Sequence, residues 1–331
     1  MKRVIIFVCA FFVVSNLAFI AIYLWRQDNS SETPAESGYS ELPFEEATEE
    51  GKSPIKETVS PQFVVVDKVR SSSENSVYGD VISHSREEPF GDSYGRSTNV
   101  HETTHGINSW LRNTYAAKTG EPMNGFYVLH GRGVVLGEPG FRKSQVMKFV
   151  PQNLRAQRFG MYLQGQTAWD DTPTYILDEW VCYVHGAKCN VEDVQTGRYQ
   201  GEWTDGVSGA LEFSIYSIAL AMAVKEHDPE YWEQNPQFRD FLVWKLYEAR
   251  DVFMTGRGMA MFKWDKQDIL LTEFLRSTLA VSMRNFVRDN LDGVWLDIDA
   301  EPLKAAHYES YQQAPLSREV EQVKFIELRR K

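Results

Sequence analysis

Cysteine is scarce in this chain: three among 331 residues. Cys9 lies in an N-terminal apolar run, and Cys182 and Cys189 stand seven apart. A zinc knuckle needs a second cysteine pair, and none exists. If the folded part lies outside the cytoplasm, a short-loop disulfide between Cys182 and Cys189 is expected; the alternative is two unpaired thiols, one of them buried. The chain also lacks any Lys/Arg-rich run and carries a net charge of −11. A nucleic-acid partner is therefore not expected, because such binders need basic patches to displace counterions from phosphate. Internal repeats are absent too, which excludes solenoids and propellers.

Long apolar runs are rare as well, and the one that stands out is at the start. Lys2 and Arg3 precede Val4 to Trp25, 22 residues without a charge. That length crosses a hydrocarbon core as a helix, with Tyr23 and Trp25 at the interface. A cleaved signal peptide would have a shorter apolar region ending in a small-x-small site. Here Phe19-Ile20-Ala21 puts a Phe where a small residue is wanted. Residues 1–26 are thus expected to be an uncleaved, single-pass membrane anchor with its basic end inside, which puts the rest outside the cytoplasm. Residues 27–60 hold nine acidic residues against two lysines, with Pro34, Pro43 and Pro54. Such a stretch buries too little apolar surface to offset its ordering entropy, so a disordered, self-repelling tether is expected.

The folded part should run over 61–300, with a charged tail at 301–331. Phe63–Val69 is β-branched and reads as a strand, with a weaker one at Val77–Ile82. A helix is expected from about Thr98 to Thr114, capped by Thr98. Gly125–Leu136 reads as a hairpin around Gly131-Arg132-Gly133, and Val146–Val150 as another short strand. Pro173–Tyr183 fits a helix with Thr172 as cap and Gly186 past its end. Ser208–Lys225 is nearly all apolar and should be a buried central helix. Phe238–Thr255 has helical spacing with Gly256 as its stop, and Gln267–Asn290 reads as one long helix. Trp295–Ile298 returns as a possible strand. The fold class is α+β with helices dominating: a small N-terminal sheet and a helical C-terminal half.

The chemistry concentrates in His101-Glu102-Thr103-Thr104-His105. On a helix, histidines four apart share one face and reach one cation, and imidazole suits Zn²⁺. Glu102, one position after the first His, flanks that face and can take a proton from water activated by the ion. Val100, Thr104, Ile107 and Leu111 supply the apolar stripe. Thr103, Thr104 and Gly106 are poor helix formers in mid-helix, a local conflict of the kind that marks functional sites. The plain alternative is two satisfied histidines on an amphipathic helix.

These five residues resemble the motif of the zincin metallopeptidases, His-Glu-x-x-His. The metzincin extension does not follow: after His105 come Gly106-Ile107-Asn108-Ser109-Trp110-Leu111, and no His occurs before His130. The gluzincin pattern, with a Glu from a later helix, points to Glu179 as third ligand, with its neighbour Asp178 able to exchange roles. In thermolysin-like gluzincins an Asp four residues after that ligand supports a zinc-bound His. Tyr183 stands there instead, so it is a candidate to steady an oxyanion, with His185, His130 and Tyr127 as rivals. Glu212, on the buried helix, needs a partner: it supports a metal ligand from behind, is itself a rival ligand, or is half of an ion pair. An edge strand among Phe126–Leu129, Val134–Leu136 and Phe63–Val69 would bind substrate by strand addition. The resemblance implies a zincin-like catalytic domain: a membrane-tethered, extracytoplasmic zinc peptidase with Glu102 and Tyr183 catalytic, His101, His105 and Glu179 holding Zn²⁺, and a protein or peptide substrate. The alternative is a tethered, non-catalytic binding protein whose metal site is structural or vestigial. A closed shell of four protein ligands would favour it.

Overall fold

The computed structural model describes residues 60–91 and 95–298. The anchor, the tether except its last residue, and the tail lie outside them. Among the described residues no helix is long and apolar enough to cross a membrane. A three-stranded antiparallel sheet is followed by a helical majority, so the α+β class with helices dominating holds.

The sheet has the order β1-β3-β2, with β1 Val64–Val65, β2 Met123–Tyr127 and β3 Arg132–Gly137. The expected hairpin forms, with Phe126 opposite Val134. Its reversal lies at 128–131, slightly earlier than the glycines suggested, with Leu129, His130 and Gly131 all at positive φ. The strand expected at 63–69 pairs over only two residues.

Eight α-helices are described: α1 Val77–His84, α2 Arg96–Thr119, α3 Tyr175–Gln195, α4 Ser208–His227, α5 Pro229–Gln234, α6 Pro236–Arg257, α7 Asp265–Arg276 and α8 Val281–Asn290. The helix α4 is buried along nearly its whole length, as its composition requires, and α3 and α6 pack against it.

Several expectations fail for local reasons. Val77–His84 is a helix, not a strand, because the Ser76 side chain caps it by accepting from Gly79 N. Lys143–Phe149 is 3₁₀-helical rather than a strand. Helix α2 begins at Arg96 after Gly95, so Thr98 is inside it and caps nothing. Helix α3 begins after Thr174 instead of Thr172 and runs on to Gln195. The expected helix over 267–290 breaks at Ser277, which is extended and caps the next turn through Leu279 N. Trp295–Ile298 is a turn.

Two glycines set the position of α2. A Cβ on Gly125 of β2 would lie 2.3 Å from Leu111 Cβ, so only glycine lets α2 lie this close to the sheet. Gly186, expected to stop α3, sits inside it, where a Cβ would be 3.2 Å from Ser97 O and 3.8 Å from His101 Cβ. It permits the close approach of α3 to α2 beside the first histidine. Val100, Ile107 and Leu111 of α2 are buried as the stripe predicts, in a small core with Val81, Met123 and Tyr127.

Candidate metal centre

His101 and His105 rise from α2, and Glu179 faces them from the start of the second turn of α3. The Nε2 atoms of the two histidines are 3.2 Å apart. Glu179 Oε2 is 3.6 Å from His101 Nε2 and 3.5 Å from His105 Nε2. Zinc bonds of 2.0–2.1 Å in tetrahedral geometry would separate any two ligand atoms by about 3.3 Å. The observed triangle has edges of that size. Glu179 is 4 % exposed, and its Oε2 is buried without a hydrogen-bond partner. Leaving such an atom unpaired is costly, and a cation at the centre of the triangle would satisfy it. These residues therefore fit a zinc ion. Among the described residues no fourth His, Cys, Asp or Glu joins this group, so none of them closes the fourth corner. The histidine side chains are 14 % and 16 % exposed, so the open corner lies on their side.

The surroundings fix each member. Tyr175 OH donates to Glu179 Oε1 at 2.5 Å. His105 Nδ1 lies 3.1 Å from Asp178 Oδ1, which also accepts from Asn108 Nδ2 at 2.6 Å. Asn108 Oδ1 in turn accepts from Tyr127 N. Asp178 therefore meets His105 at Nδ1, on the opposite ring nitrogen from Glu179, and with His105 and Cys182 it forms a second group that could hold an ion. A proton on Nδ1 leaves the Nε2 lone pair directed into the triangle. Burial opposes charge on His105, but the neighbouring Cys182, Asp178 and Glu179 push its pKa well above the ordinary histidine value. Burial likewise works against the Glu179 carboxylate, yet His105 and His101 hold it below the usual carboxylate range. Without an ion, a proton on His105 is the counter-charge of this cluster.

Tyr183 borders the site without addressing it through its hydroxyl. Its ring meets His101 edge-on at 4.6 Å, and its hydroxyl is 2.9 Å from Tyr162 OH. The Arg158 guanidinium lies 4.8 Å from the Tyr183 ring centre. Arg158 is held by Glu212 Oε2 at 3.0 Å and Asp205 Oδ2 at 3.1 Å. Of the three roles open to Glu212, the ion pair is the one it fills. Burial raises the pKa of both phenols, so both keep their protons. One proton closes the pair and the other remains free to donate. The positive charge of Arg158 makes Tyr183 the more acidic partner. Either hydroxyl can be the donor within the pair, so the spare proton belongs to one phenol or the other.

Tyr162 was missed by sequence reasoning. It stands on a wide turn, Phe159–Gln164, closed by Gly165 N to Gly160 O. Buried Lys143 gathers the end of that turn, donating to the carbonyls of Tyr162 (2.6 Å), Leu163 (3.3 Å) and Gly165 (3.0 Å). No periodic pattern marks such a segment, and single π-turns recur at functional sites. The other rivals lie elsewhere. Tyr127 OH donates to Asp80 Oδ2 at 2.7 Å, His130 N donates to the same atom, and His185 Nδ1 is 3.3 Å from Thr104 Oγ1 in the core. Glu102 is half-buried and forms no hydrogen bond with the described residues.

The expected disulfide is absent: Cys182 and Cys189 are buried free thiols. Both are in α3, and seven helical residues separate their Cα atoms by about 10 Å, beyond the ~7 Å a disulfide spans. Cys182 instead packs against Asp178 Oδ1 at 3.8 Å. Substrate addition to the hairpin is also ruled out. Strand β3 is the middle strand, and the outer strand β2 is wholly buried beneath α2 and α3. Among the described residues, two-residue β1 has no strand partner on its outer side. It borders a groove of about 1260 Å³ that Lys188 and Glu192 also line. On α3, Lys188 is roughly 180° around from Glu179, so this groove opens away from the triangle.

No family model, curated protein or solved structure matches this chain.

Proposed function

We propose that the protein is a zinc-dependent hydrolase of amide bonds, most plainly a peptidase, of gluzincin-like construction. The observation that carries this reading is the triangle of His101 Nε2, His105 Nε2 and Glu179 Oε2, with its tetrahedral spacing and its unpartnered buried oxygen. A zinc ion held there would polarise a substrate carbonyl and acidify water at the open fourth corner. The chain's own groups supply the rest. Asp178 and Asn108 keep the His105 ring in its tautomer. Tyr175 fixes the rotamer of Glu179. Glu102, with no hydrogen-bond partner among the described residues, takes a proton from the attacking water and passes it to the leaving amine. Tyr162 and Tyr183, whose hydroxyls share one hydrogen bond beside the His101 ring, are the candidates to steady the oxyanion. The three-ligand shell favours this reading over a structural metal in a binding module, which would call for a fourth protein ligand. If the N-terminal run is an anchor, the substrate is met outside the cytoplasm.

The test is Glu102→Gln in the full-length chain. Zinc content should stay at one ion per chain while hydrolysis of a mixed peptide library falls to background. Undiminished hydrolysis removes Glu102 from the mechanism. Absence of zinc and of hydrolysis in the unaltered protein removes the proposal.

A further inference from the structure

The face of α2 that carries the histidines continues past them. Arg112, seven residues beyond His105, returns to within about 20° of it around the helix and sits about 10 Å further along the axis. Arg112 is half-buried and forms no ion pair among the described residues. Its Nη2 donates only to Ser109 Oγ at 3.1 Å, and its guanidinium lies 5.1 Å from the Trp169 ring centre. Trp169 stacks on Tyr175 with centroids 5.3 Å apart and ring planes 4° from parallel. Tyr175 is the residue whose hydroxyl holds Glu179. A continuous wall, Trp169–Tyr175–Glu179, therefore joins the guanidinium to the metal triangle. Glu138 is close enough for its charge and that of Arg112 to act on each other, but its carboxylate accepts from the Thr174 backbone N–H and hydroxyl and forms no direct ion pair with the guanidinium.

A guanidinium beside an aromatic ring, with one N–H given to Ser109, keeps other N–H groups available. Such groups match a carboxylate, and partial burial strengthens the pairing. We propose that Arg112 is a specificity-determining residue that reads an acidic group of the substrate. An extended peptide advances about 3.3 Å per residue, so a reach of about 10 Å puts that group about three residues from the cleaved bond. The preferred substrate is then an acidic peptide segment, its carboxylate being an Asp or Glu side chain or a chain terminus. This inference rests on the hydrolase reading above.

The probe is a set of internally quenched peptides that differ only in Asp, Asn or Lys at each position two to four residues on either side of the scissile bond. It is assayed with the zinc-loaded, full-length protein. At one position the unaltered protein should cleave the Asp peptide about 10- to 100-fold faster, in kcat/KM, than the Asn peptide, the range expected for one charged hydrogen-bonded pair. Arg112→Ala should collapse that ratio toward one. Arg112→Lys should retain part of it, and Arg112→Glu should turn the preference toward Lys. A purely structural role for Arg112 would lower all rates together and leave the ratios fixed, which overturns the proposal. Cleavage with no acidic preference at any position also overturns it and leaves the hydrolase reading standing. Failure to cleave any peptide overturns both.

Discussion

Replacing Glu179 with Gln separates the triangle from the helix that carries it. The amide keeps the volume of the carboxylate and its acceptor for Tyr175 OH, but it removes the buried oxygen that faces both imidazoles at 3.5 and 3.6 Å. Zinc at a hundredfold excess over its Kd stabilises the native state by about 2.7 kcal/mol. For a folded part of this size, each kcal/mol moves Tm by about 2–4 °C, so zinc should raise Tm by roughly 5–10 °C. Loss of an outer partner of a metal ligand typically weakens binding 10- to 100-fold, and loss of a ligand itself should do at least that. At the same zinc concentration a hundredfold weaker site gains only about 0.4 kcal/mol, a shift of about 1 °C. The assay is a thermal melt of both proteins with chelator and with zinc, alongside metal analysis. Comparing zinc with chelator within each protein cancels whatever the substitution does to the metal-free fold. A variant that keeps the whole zinc shift, or an unaltered protein that shows none, would refute the assignment of Glu179.

Zinc must displace the proton that the surrounding Cys182, Asp178 and Glu179 hold on His105 despite burial. Its affinity should therefore rise about tenfold per pH unit until His105 is neutral, and calorimetry in buffers of different ionisation enthalpy should register proton release. Gly186→Val places branched carbons where even a Cβ lies 3.2 Å from Ser97 O, so it should cost about 1–3 kcal/mol in denaturant unfolding and weaken zinc binding by moving α2 off α3. Burial pushes the Glu138 carboxyl up to about 7. The folded form then holds its proton more tightly than the unfolded chain, so its contribution is complete below about pH 4.5 and is lost as pH rises through about 7. The loss should be about 3–4 kcal/mol, and Glu138→Gln should flatten the stability profile over that interval.

Local pattern determined a good part of this protein. The 3, 4, 7 spacing of Val100, Thr104, Ile107 and Leu111 specified a helix with both histidines on one face, and the apolar run at 208–225 specified a buried one. The hairpin followed from two β-branched runs around a glycine-rich turn. These features depend on neighbours within a few residues, which one sequence displays. The cap at Ser76 was equally local, and the β-branched Val77 and Val81 obscured it. Other features are set by groups distant along the chain. Glu179 and Asp178 are adjacent acids on one helix turn, and only the crossing of α3 over α2 decides that one faces the Nε2 atoms and the other Nδ1. That crossing depends on Gly186, which the sequence presents as a helix stop. Tyr162 stands on a wide turn whose form follows from a buried lysine about twenty residues earlier, so nothing in its own surroundings marks it. Helical period sets the direction of a side chain within its own segment. Which group it meets is fixed when segments pack, because the contacts that pay for burying a charge are made between segments.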